Sequence, residues 1–266
     1  MNLVSFDPFR TLGFPNTRVI KPEHWMRHQA ELTAADWVLF PEYWQINTLV
    51  YGLGCRIFPS QSSYLIGHNK VEMSRVFEAV APRHVPTTHI LANTPENAEL
   101  LWERMSPPFV AKRPKSSMGE GVWLIEDREQ WCQYLTRTET LYVQEWLPID
   151  RDIRVVVVGR RVLAAYWRLQ SSYSFHNNIA RGGQVDEAPV PEAALALALR
   201  VAHRLQVDHA GFDIAMLGTH PVLIEFNRLF GHQGIAGGAA HLREAVLGYL
   251  SEALSPGDDP DHPIAA

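Results

Sequence analysis

Two short apolar segments near the carboxyl end constrain the fold of this chain most strongly. Residues 212–217 and 222–226 have the composition of β-strands, and Gly-Thr-His-Pro at 218–221 supplies turn residues between them, so the pattern predicts a β-hairpin. Side chains alternate along a strand, so Glu225 and Asn227 point to the same face, and Asp213 on the partner strand can share it. Two carboxylates and one amide oxygen would then converge on one patch.

Oxygen ligands of this kind suit Mg²⁺ bound together with a nucleotide. The alternative is an ordinary hairpin whose acidic side chains are solvated. Asp and Asn are poor strand formers, so their position inside apolar strands favours the metal site. The hairpin therefore predicts Asp213, Glu225 and Asn227 as metal ligands.

Composition excludes several classes of function. The chain has 266 residues, 46% hydrophobic and 20% charged, which suits one large domain or two or three small lobes. A formal net charge of −5 argues against nucleic acid as the main partner. The longest apolar run, residues 193–199, is too short to span a bilayer, and the first residues do not have the pattern of a signal peptide. Cys55 and Cys132 lack metal-ligand spacing, which favours a reducing, cytoplasmic location.

The first sixty residues alternate strand-like and helix-compatible segments. The strand-like runs are 2–6, 18–20, 37–40 and 55–58, and helices are compatible with 24–32 and 43–51. This alternation predicts a small parallel sheet. Its tryptophans, Trp25, Trp37 and Trp44, fit core or interface packing better than a ligand surface.

A basic loop rich in glycine and serine joins two predicted strands, residues 109–112 and 122–125. Its small residues would let backbone N–H groups approach phosphate oxygens, while Lys112 and Lys115 supply positive charge. The loop lacks the residue order of a Walker loop, and a plain hairpin loop remains an alternative. The small residues in question are Ser116, Ser117, Gly119 and Gly121.

Four further segments carry candidate polar residues. Lys70 begins a predicted helix, where the macrodipole disfavours a cation, which indicates an anionic partner or else a plain surface lysine. The end of the strand over 141–145 could present backbone groups to an adenine edge. Asp152 and Arg154 share one strand face, as a salt bridge or as ribose and phosphate contacts. The loop over 171–183 holds Asn178 and Arg181 close together, in a solvated or a functional role.

The order of these features resembles the ATP-grasp superfamily and, within it, the RimK-like ligases that join glutamate or other amino acids to a carboxylate. The resemblance covers about residues 60–250. Six motifs match in order and rough spacing: Val110-Ala-Lys112, Tyr142-Val-Gln-Glu145, Asp152-Ile-Arg154, Asn178-Ile-Ala-Arg-Gly-Gly183, Gly211-Phe-Asp213 and Glu225-Phe-Asn227.

The resemblance implies an α/β chain with the ATP-grasp fold, in which two lobes of α+β character follow a short N-terminal α/β domain. The implied boundaries are 1–60 for the N-terminal domain and 61–254 for the ATP-grasp region, with lobes at about 61–142 and 143–254. Residues 255–266 are expected to be a flexible tail.

The resemblance also implies roles for individual residues. Three metal ligands, Asp213, Glu225 and Asn227, would hold Mg²⁺, with Mn²⁺ as the alternative ion. Arg154, Asn178 and Arg181 would face the reacting phosphoryl group and the acyl substrate. Residues expected to contact ATP are Lys70, Lys112, Ser116, Ser117, Gly119, Gly121, Gln144, Glu145, Trp146 and Asp152.

The expected reaction transfers the γ-phosphoryl group of ATP to a carboxylate and lets an amine attack the acyl phosphate, releasing ADP and phosphate. The expected partners are ATP, a small-molecule or peptide carboxylate and an amine or amino acid, and a homo-oligomer is left open. A small-molecule kinase and a non-catalytic Mg-ATP-binding module are the alternatives. The chain departs from the family pattern at Asn227-Arg-Leu-Phe-Gly231, where Asn-Ala-Ser-Pro-Gly is usual, and at His176. These departures predict a different substrate side.

Overall fold

The computed structural model describes residues 1–115, 121–169, 184–186 and 188–254. Its strands are β1 (Leu3–Ser5), β2 (Thr17–Val19), β3 (Trp37–Leu39), β4 (Ile57–Phe58), β5 (Thr88–Ala92), β6 (Phe109–Lys112), β7 (Val122–Ile125), β8 (Thr140–Glu145), β9 (Arg151–Val158), β10 (Arg161–Leu169), β11 (Gln184–Asp186), β12 (His209–Leu217) and β13 (His220–Asn227). Its α-helices are α1 (Gln29–Thr33), α2 (Gln61–Ile66), α3 (Lys70–Val80), α4 (Pro95–Arg104), α5 (Arg128–Leu135), α6 (Glu192–Arg204) and α7 (Gly238–Glu252).

The predicted N-terminal sheet is confirmed as four parallel strands in the order β2-β1-β3-β4. Trp25 and Trp37 are buried, as expected of core residues, whereas Trp44 is exposed and meets Trp25 edge-on. The helix expected over 43–51 is confirmed: residues 43–52 are helical, with a 3₁₀ turn at Tyr43–Gln45 and a π-helical turn at Thr48–Gly52. A capping box between Glu42 and Gln45 caps the amino end of this helical segment.

The second sheet is antiparallel, with the order β5-β8-β6-β7. Helices α4 and α5 cover one face, where Trp131, Tyr134 and Leu101 form a buried core. Helix α4 is capped by Thr94, whose hydroxyl accepts the Asn97 N–H. Strand alternation sends Lys112 and Gln144 to the opposite face.

The third sheet has five antiparallel strands in the order β11-β10-β9-β12-β13. Helices α3 and α6 cover one of its faces over a core that includes Phe77, Val155, Phe212 and Phe226. Helix α3 therefore packs on this sheet, although the sequence predicts that it belongs to the first lobe, about residues 61–142. The lobe boundaries themselves stay a prediction.

The other face of the third sheet is divided. Its apolar half, around Val156 and Val158, packs against α7 and the N-terminal sheet, where Trp37 Nε1 donates to the Leu250 carbonyl at 3.2 Å. Its polar half begins at Arg154 and lies opposite the Lys112 face of the second sheet. The candidate site forms between these two surfaces.

No helix in the described ranges is long and apolar enough to cross a membrane.

Candidate active site

The register of the β12–β13 hairpin brings the predicted metal ligands to one face. Asp213 lies directly opposite Glu225, and Gly211 lies opposite Asn227. A β-bulge at Ile224 produces this register; without it, Asp213 would pair with Ile224 and Glu225 would point to the other face. The predicted convergence of two carboxylates and an amide is confirmed.

Strand β9 adds Arg154 to the same surface, directly across from Asp213. Arg154 Nε donates to Asp213 Oδ1 at 2.6 Å, and its Nη2 donates to Oδ2 at 3.2 Å. Gly211 makes room for this guanidinium, because a Cβ there would lie 2.9 Å from both Cδ and Nη1 of Arg154. Arg154, for which a salt bridge to Asp152 and a phosphate contact were the alternatives, thus forms a bidentate pair with Asp213.

Arg168 is a site residue that the sequence analysis missed. Its Nε and Nη2 donate to the two carboxylate oxygens of Asp152 at 2.7 and 2.6 Å, and its Nη2 lies 3.0 Å from Asp213 Oδ1. Although burial opposes the charge of Arg168, Asp213 and Asp152 outweigh it and raise the guanidinium pKa. Asp152, expected at the ribose, has both carboxylate oxygens bonded to Arg168. Arg168 thus connects Asp152 to a candidate metal ligand.

Lys70 supplies a cation to the other carboxylate. Its Nζ lies 3.0 Å from Glu225 Oε2, while Glu225 Oε1 accepts a 3.4 Å contact from Asn227 Nδ2. Burial alone would raise the pKa of Glu225, but the charges of Lys70 and Lys112 outweigh it and lower that pKa to about 2. Glu225 therefore stays ionised and available to a cation.

Lys112, which the sequence predicts to contact phosphates, is buried on the facing sheet. Its Nζ donates to Gln144 Oε1 at 2.6 Å and lies 5.6 Å from the centre of the Tyr142 ring. Burial lowers the pKa of Lys112 to about 8, with Lys70 acting in the same direction and Glu225 opposing it. Lys112 can therefore lose its charge at moderately alkaline pH.

The remaining predicted contact residues lie apart from this cluster. Glu145 points to the opposite face of β8, and its Oε1 accepts the Thr87 N–H at 2.8 Å, while Trp146 is exposed beyond the strand end. Gly121 ends the glycine- and serine-rich loop with a φ of +79°, and its carbonyl accepts the Arg113 N–H. Their roles toward ATP stay predictions. Ser116, Ser117, Gly119, Asn178 and Arg181 lie outside the described residues, as does His176.

The segment that follows Asn227 is held by contacts with His209 and Arg10. The neutral His209 ring donates from Nδ1 to the Arg228 carbonyl at 2.6 Å and stacks on Phe230 at a centroid distance of 4.5 Å. Burial keeps His209 neutral by lowering its pKa to about 4. Arg10 Nη1 donates to the Phe230 carbonyl at 3.3 Å. The Arg228–Phe230 backbone is thereby fixed beside the metal-ligand strand.

The donor set fits a magnesium ion. The described residues hold no group of three or more His, Cys, Asp or Glu side chains that could bind a metal ion. What they hold is two carboxylates and the amide of Asn227 on one face, beside Lys70, Lys112, Arg154 and Arg168. A hard cation with few protein oxygen ligands and additional phosphate ligands matches this set. The surrounding cations make the cleft a site for a polyanion.

Comparison with known proteins agrees with this geometry. The family model of the RimK-like ATP-grasp domain matches residues 68–239. The ribosomal protein bS6–L-glutamate ligase of Escherichia fergusonii is 31% identical over 157 residues, which cover 57% of this chain and 52% of the relative. The chain thus spans about half the length of the curated relatives it matches.

Solved structures share the fold at low sequence identity. A RimK domain ATP-grasp protein from Sphaerobacter thermophilus superimposes with a TM-score of 0.67 and 15% identity, covering 94% of this chain and 99% of that one. The D-alanine–D-alanine ligase of Bacillus anthracis complexed with ATP gives a TM-score of 0.68 and 13% identity, covering 95% and 98% of the two chains. The fold is therefore that of the ATP-grasp proteins, as the sequence motifs predicted.

Proposed function

This chain belongs to the RimK-like ATP-grasp family, and we propose that it is an ATP-dependent ligase that joins a carboxylate to an amine. The observation that carries this proposal is the meeting of four cations and three oxygen ligands between two sheets. Lys70, Lys112, Arg154 and Arg168 face Asp213, Glu225 and Asn227. A site that only bound ATP would not need two arginines paired to one metal-ligand carboxylate. The names of the relatives, which are amino-acid ligases, support the same reaction class.

The proposed reaction follows from the charges in the cleft. A carboxylate is a poor electrophile, and transfer of the γ-phosphoryl group of ATP converts it to an acyl phosphate that an amine can attack. Such a transfer depends on positioning and on neutralisation of charge. Lys112 and Lys70 are placed to attract phosphate oxygens, and Arg154 and Arg168 to offset charge on the transferring group. No side chain needs to form a covalent intermediate.

The carboxylates of the hairpin would hold the magnesium ion. Asp213, Glu225 and Asn227 provide its protein ligands, and when bound the ion supplies charge neutralisation to the phosphate oxygens. The chain's own contribution is to keep Glu225 ionised and Asp213 oriented. Lys70 keeps Glu225 ionised, and Arg154 with Arg168 orients Asp213. Mn²⁺ is the alternative ion.

The proposal is tested by measuring ADP and phosphate release with Mg²⁺ across paired acids and amines, with mass analysis of the products. Release that needs both substrates, and a product that has lost one water, would support the ligase. Release with a single acceptor and a phosphorylated product would identify a kinase instead. ATP binding without turnover with any pair would indicate a binding module.

Two variants assign the metal ligands in the same assay. Glu225→Ala and Asn227→Ala should lose Mg²⁺-dependent turnover, by about a hundredfold or more, the scale of losing one transition-state charge contact. A folded Glu225→Ala variant with normal turnover would remove Glu225 from the site.

Both cysteines of the chain are free thiols, Cys55 buried and Cys132 exposed, which supports the further proposal of a cytoplasmic location.

A further inference from the structure

Arg228 is a partly buried cation beside the end of β13. It directly follows the candidate metal ligand Asn227, and its guanidinium carbon lies 4.6 Å from the centre of the buried Tyr64 ring. Its Nε is buried and has no hydrogen-bond partner. Within the described ranges, Arg228 forms no ion pair, whereas Arg10, Arg154 and Arg168 each pair with an aspartate. A guanidinium has five N–H donors, and leaving a buried one unsatisfied is unfavourable.

The position of Arg228 is fixed by its neighbours. The His209 ring hydrogen-bonds to the Arg228 carbonyl and also stacks on the ring of Phe230, two residues further along the chain. On the other side, Gly67 lies against the base of the side chain, because a Cβ there would come within 3.6 Å of Arg228 Cβ. The side chain is therefore anchored at its backbone and at its guanidinium. A preorganised cation of this kind suits recognition of an anion.

The surroundings of Arg228 are aromatic. The Tyr43 ring stacks on His68 at a centroid distance of 3.7 Å, and Tyr64 lies under the guanidinium. The acidic residue that influences Arg228 electrostatically is Glu42, but its carboxylate accepts the Gln45 N–H as a helix cap. Among the described residues, these groups surround the planar guanidinium of Arg228, and no carboxylate forms an ion pair with it. Arginine in such a setting matches the geometry of a carboxylate, which can accept two parallel N–H bonds.

We propose that Arg228 binds a substrate carboxylate that is not the one activated by ATP, and so selects substrates carrying a second negative charge. The inference rests on the proposed ligase function. Arg228 and Phe226 both lie against Gly67, so this carboxylate would bind just past the end of β13, on the side of α2 and Tyr64 and not on the face of Glu225 and Asn227. The carboxylate can belong to the acid substrate or to the amine substrate, and both sources share the same chemistry.

The test compares substrates that differ only in this charge. Succinate and succinamate serve as acids, and L-glutamate and L-glutamine as amines, in ADP-release assays on the wild type and on Arg228→Gln. We expect the KM of the charged member of one pair to rise about 10- to 100-fold, with the KM values of its amide analogue and of ATP unchanged. The pair that responds identifies the source of the carboxylate. Equal effects on both members of each pair, or no effect, would overturn the inference.

A binding measurement separates this inference from the proposed function. Calorimetry on the chain saturated with Mg-ADP would titrate succinate, succinamate, L-glutamate and L-glutamine into the wild type, Arg228→Gln and Arg228→Lys. Preference for a charged probe that is lost in Arg228→Gln supports the inference even if no pair turns over. Arg228→Lys should retain part of the preference, because the charge remains but the planar fork does not. The matched control is Arg161→Gln, an exposed arginine paired with Glu252, which should bind like the wild type. Wild-type binding without any preference for the charged probes would contradict the inference.

Discussion

The ammonium group of Lys70 lies 3.0 Å from Oε2 of Glu225, although 155 positions separate the two residues in the chain. The contact joins the first residue of α3 to the hairpin strand β13. Only 15% of the Lys70 side chain and 26% of the Glu225 side chain are exposed, so solvent screens the pair less than a surface salt bridge. The positive charge of Lys70, which is unfavourable at the start of a helix, is thus compensated by the carboxylate of Glu225.

Replacing this lysine should make stability depend on pH in a defined direction. The folded-state pKa of Glu225, about 2, lies below its ordinary value of 4.5, so its stabilisation is present above pH 4.5 and is lost as the pH falls toward 2. Lys70→Met should therefore lower the free energy of unfolding at pH 7 by about 1–3 kcal/mol, with a smaller difference at pH 3. Urea unfolding of both proteins from pH 3 to 7 measures this difference. Arg75→Met, which breaks an exposed ion pair with Glu78, is the control and should change stability by less than about 1 kcal/mol. A Lys70→Met effect that did not vary with pH would contradict the assignment.

Arg168 should prove necessary for the fold of the site. Its side chain is 8% exposed and pairs with both Asp152 and Asp213. Arg168→Met would leave two buried carboxylates short of a counter-charge, so we expect a loss of about 3–5 kcal/mol in the free energy of unfolding. The double variant Asp152→Asn with Arg168→Met should recover part of that loss, because it removes one of the unpaired charges. Chemical denaturation of the single and double variants would show whether the two substitutions are coupled; simple additivity would argue against a direct Asp152–Arg168 interaction.

Local patterns were sufficient to predict most of the strands and helices. The strands predicted over 109–112 and 122–125 have the observed bounds of β6 and β7, and the predicted β12–β13 hairpin forms. The family motifs placed Lys112, Asp213 and Glu225 together because each motif has a fixed place in the ATP-grasp fold. Side-chain alternation by itself predicts only which residues of a single strand lie on the same face of the sheet.

The site depends on two β-bulges that the sequence did not predict. Leu163 is an extra residue in β10, and Ile224 is an extra residue in β13. Counting from the Gly159-Arg160 turn without a bulge would pair Asp152 with Trp167 and send Arg168 to the apolar face. An apolar residue in an apolar strand gives no sign that it is a bulge, so the contact of Arg168 with Asp152 could not be inferred from the sequence.

Nucleotide affinity should fall as the pH rises through about 8, where Lys112 loses its charge. The folded-state pKa of about 8 lies below the ordinary 10.5, so between these values the unfolded chain binds more protons and the Lys112 contribution to stability increases with pH. Binding of Mg-ADP, measured by calorimetry from pH 6.5 to 9.5, should weaken toward the alkaline end. Lys112→Met should bind at least about tenfold more weakly at pH 7, with a flatter pH profile, since it has no proton to lose. Lys21→Met, at an exposed position, should follow the wild-type profile. A wild-type affinity that stayed constant over this range would mean that Lys112 does not contact the phosphates.

Gly211 should be required for the position of Arg154. A Cβ at this position would lie 2.9 Å from Arg154 Cδ and Nη1, closer than a real contact allows, so Gly211→Ala must displace the guanidinium from Asp213. Overpacking of this kind costs about 1–3 kcal/mol in stability, and we expect kcat to fall at least about tenfold because Arg154 no longer offsets charge on the transferring group. The affinity for Mg-ADP should change less, since Lys112 and Lys70 are untouched. Gly248→Ala is the matched control: Gly248 lies in α7 with no atom within 4 Å of its Cβ position, and this substitution should leave kcat unchanged and raise stability slightly. If Gly211→Ala retained full activity with Arg154 still bound to Asp213, the absence of a side chain at Gly211 would not be required for the position of Arg154.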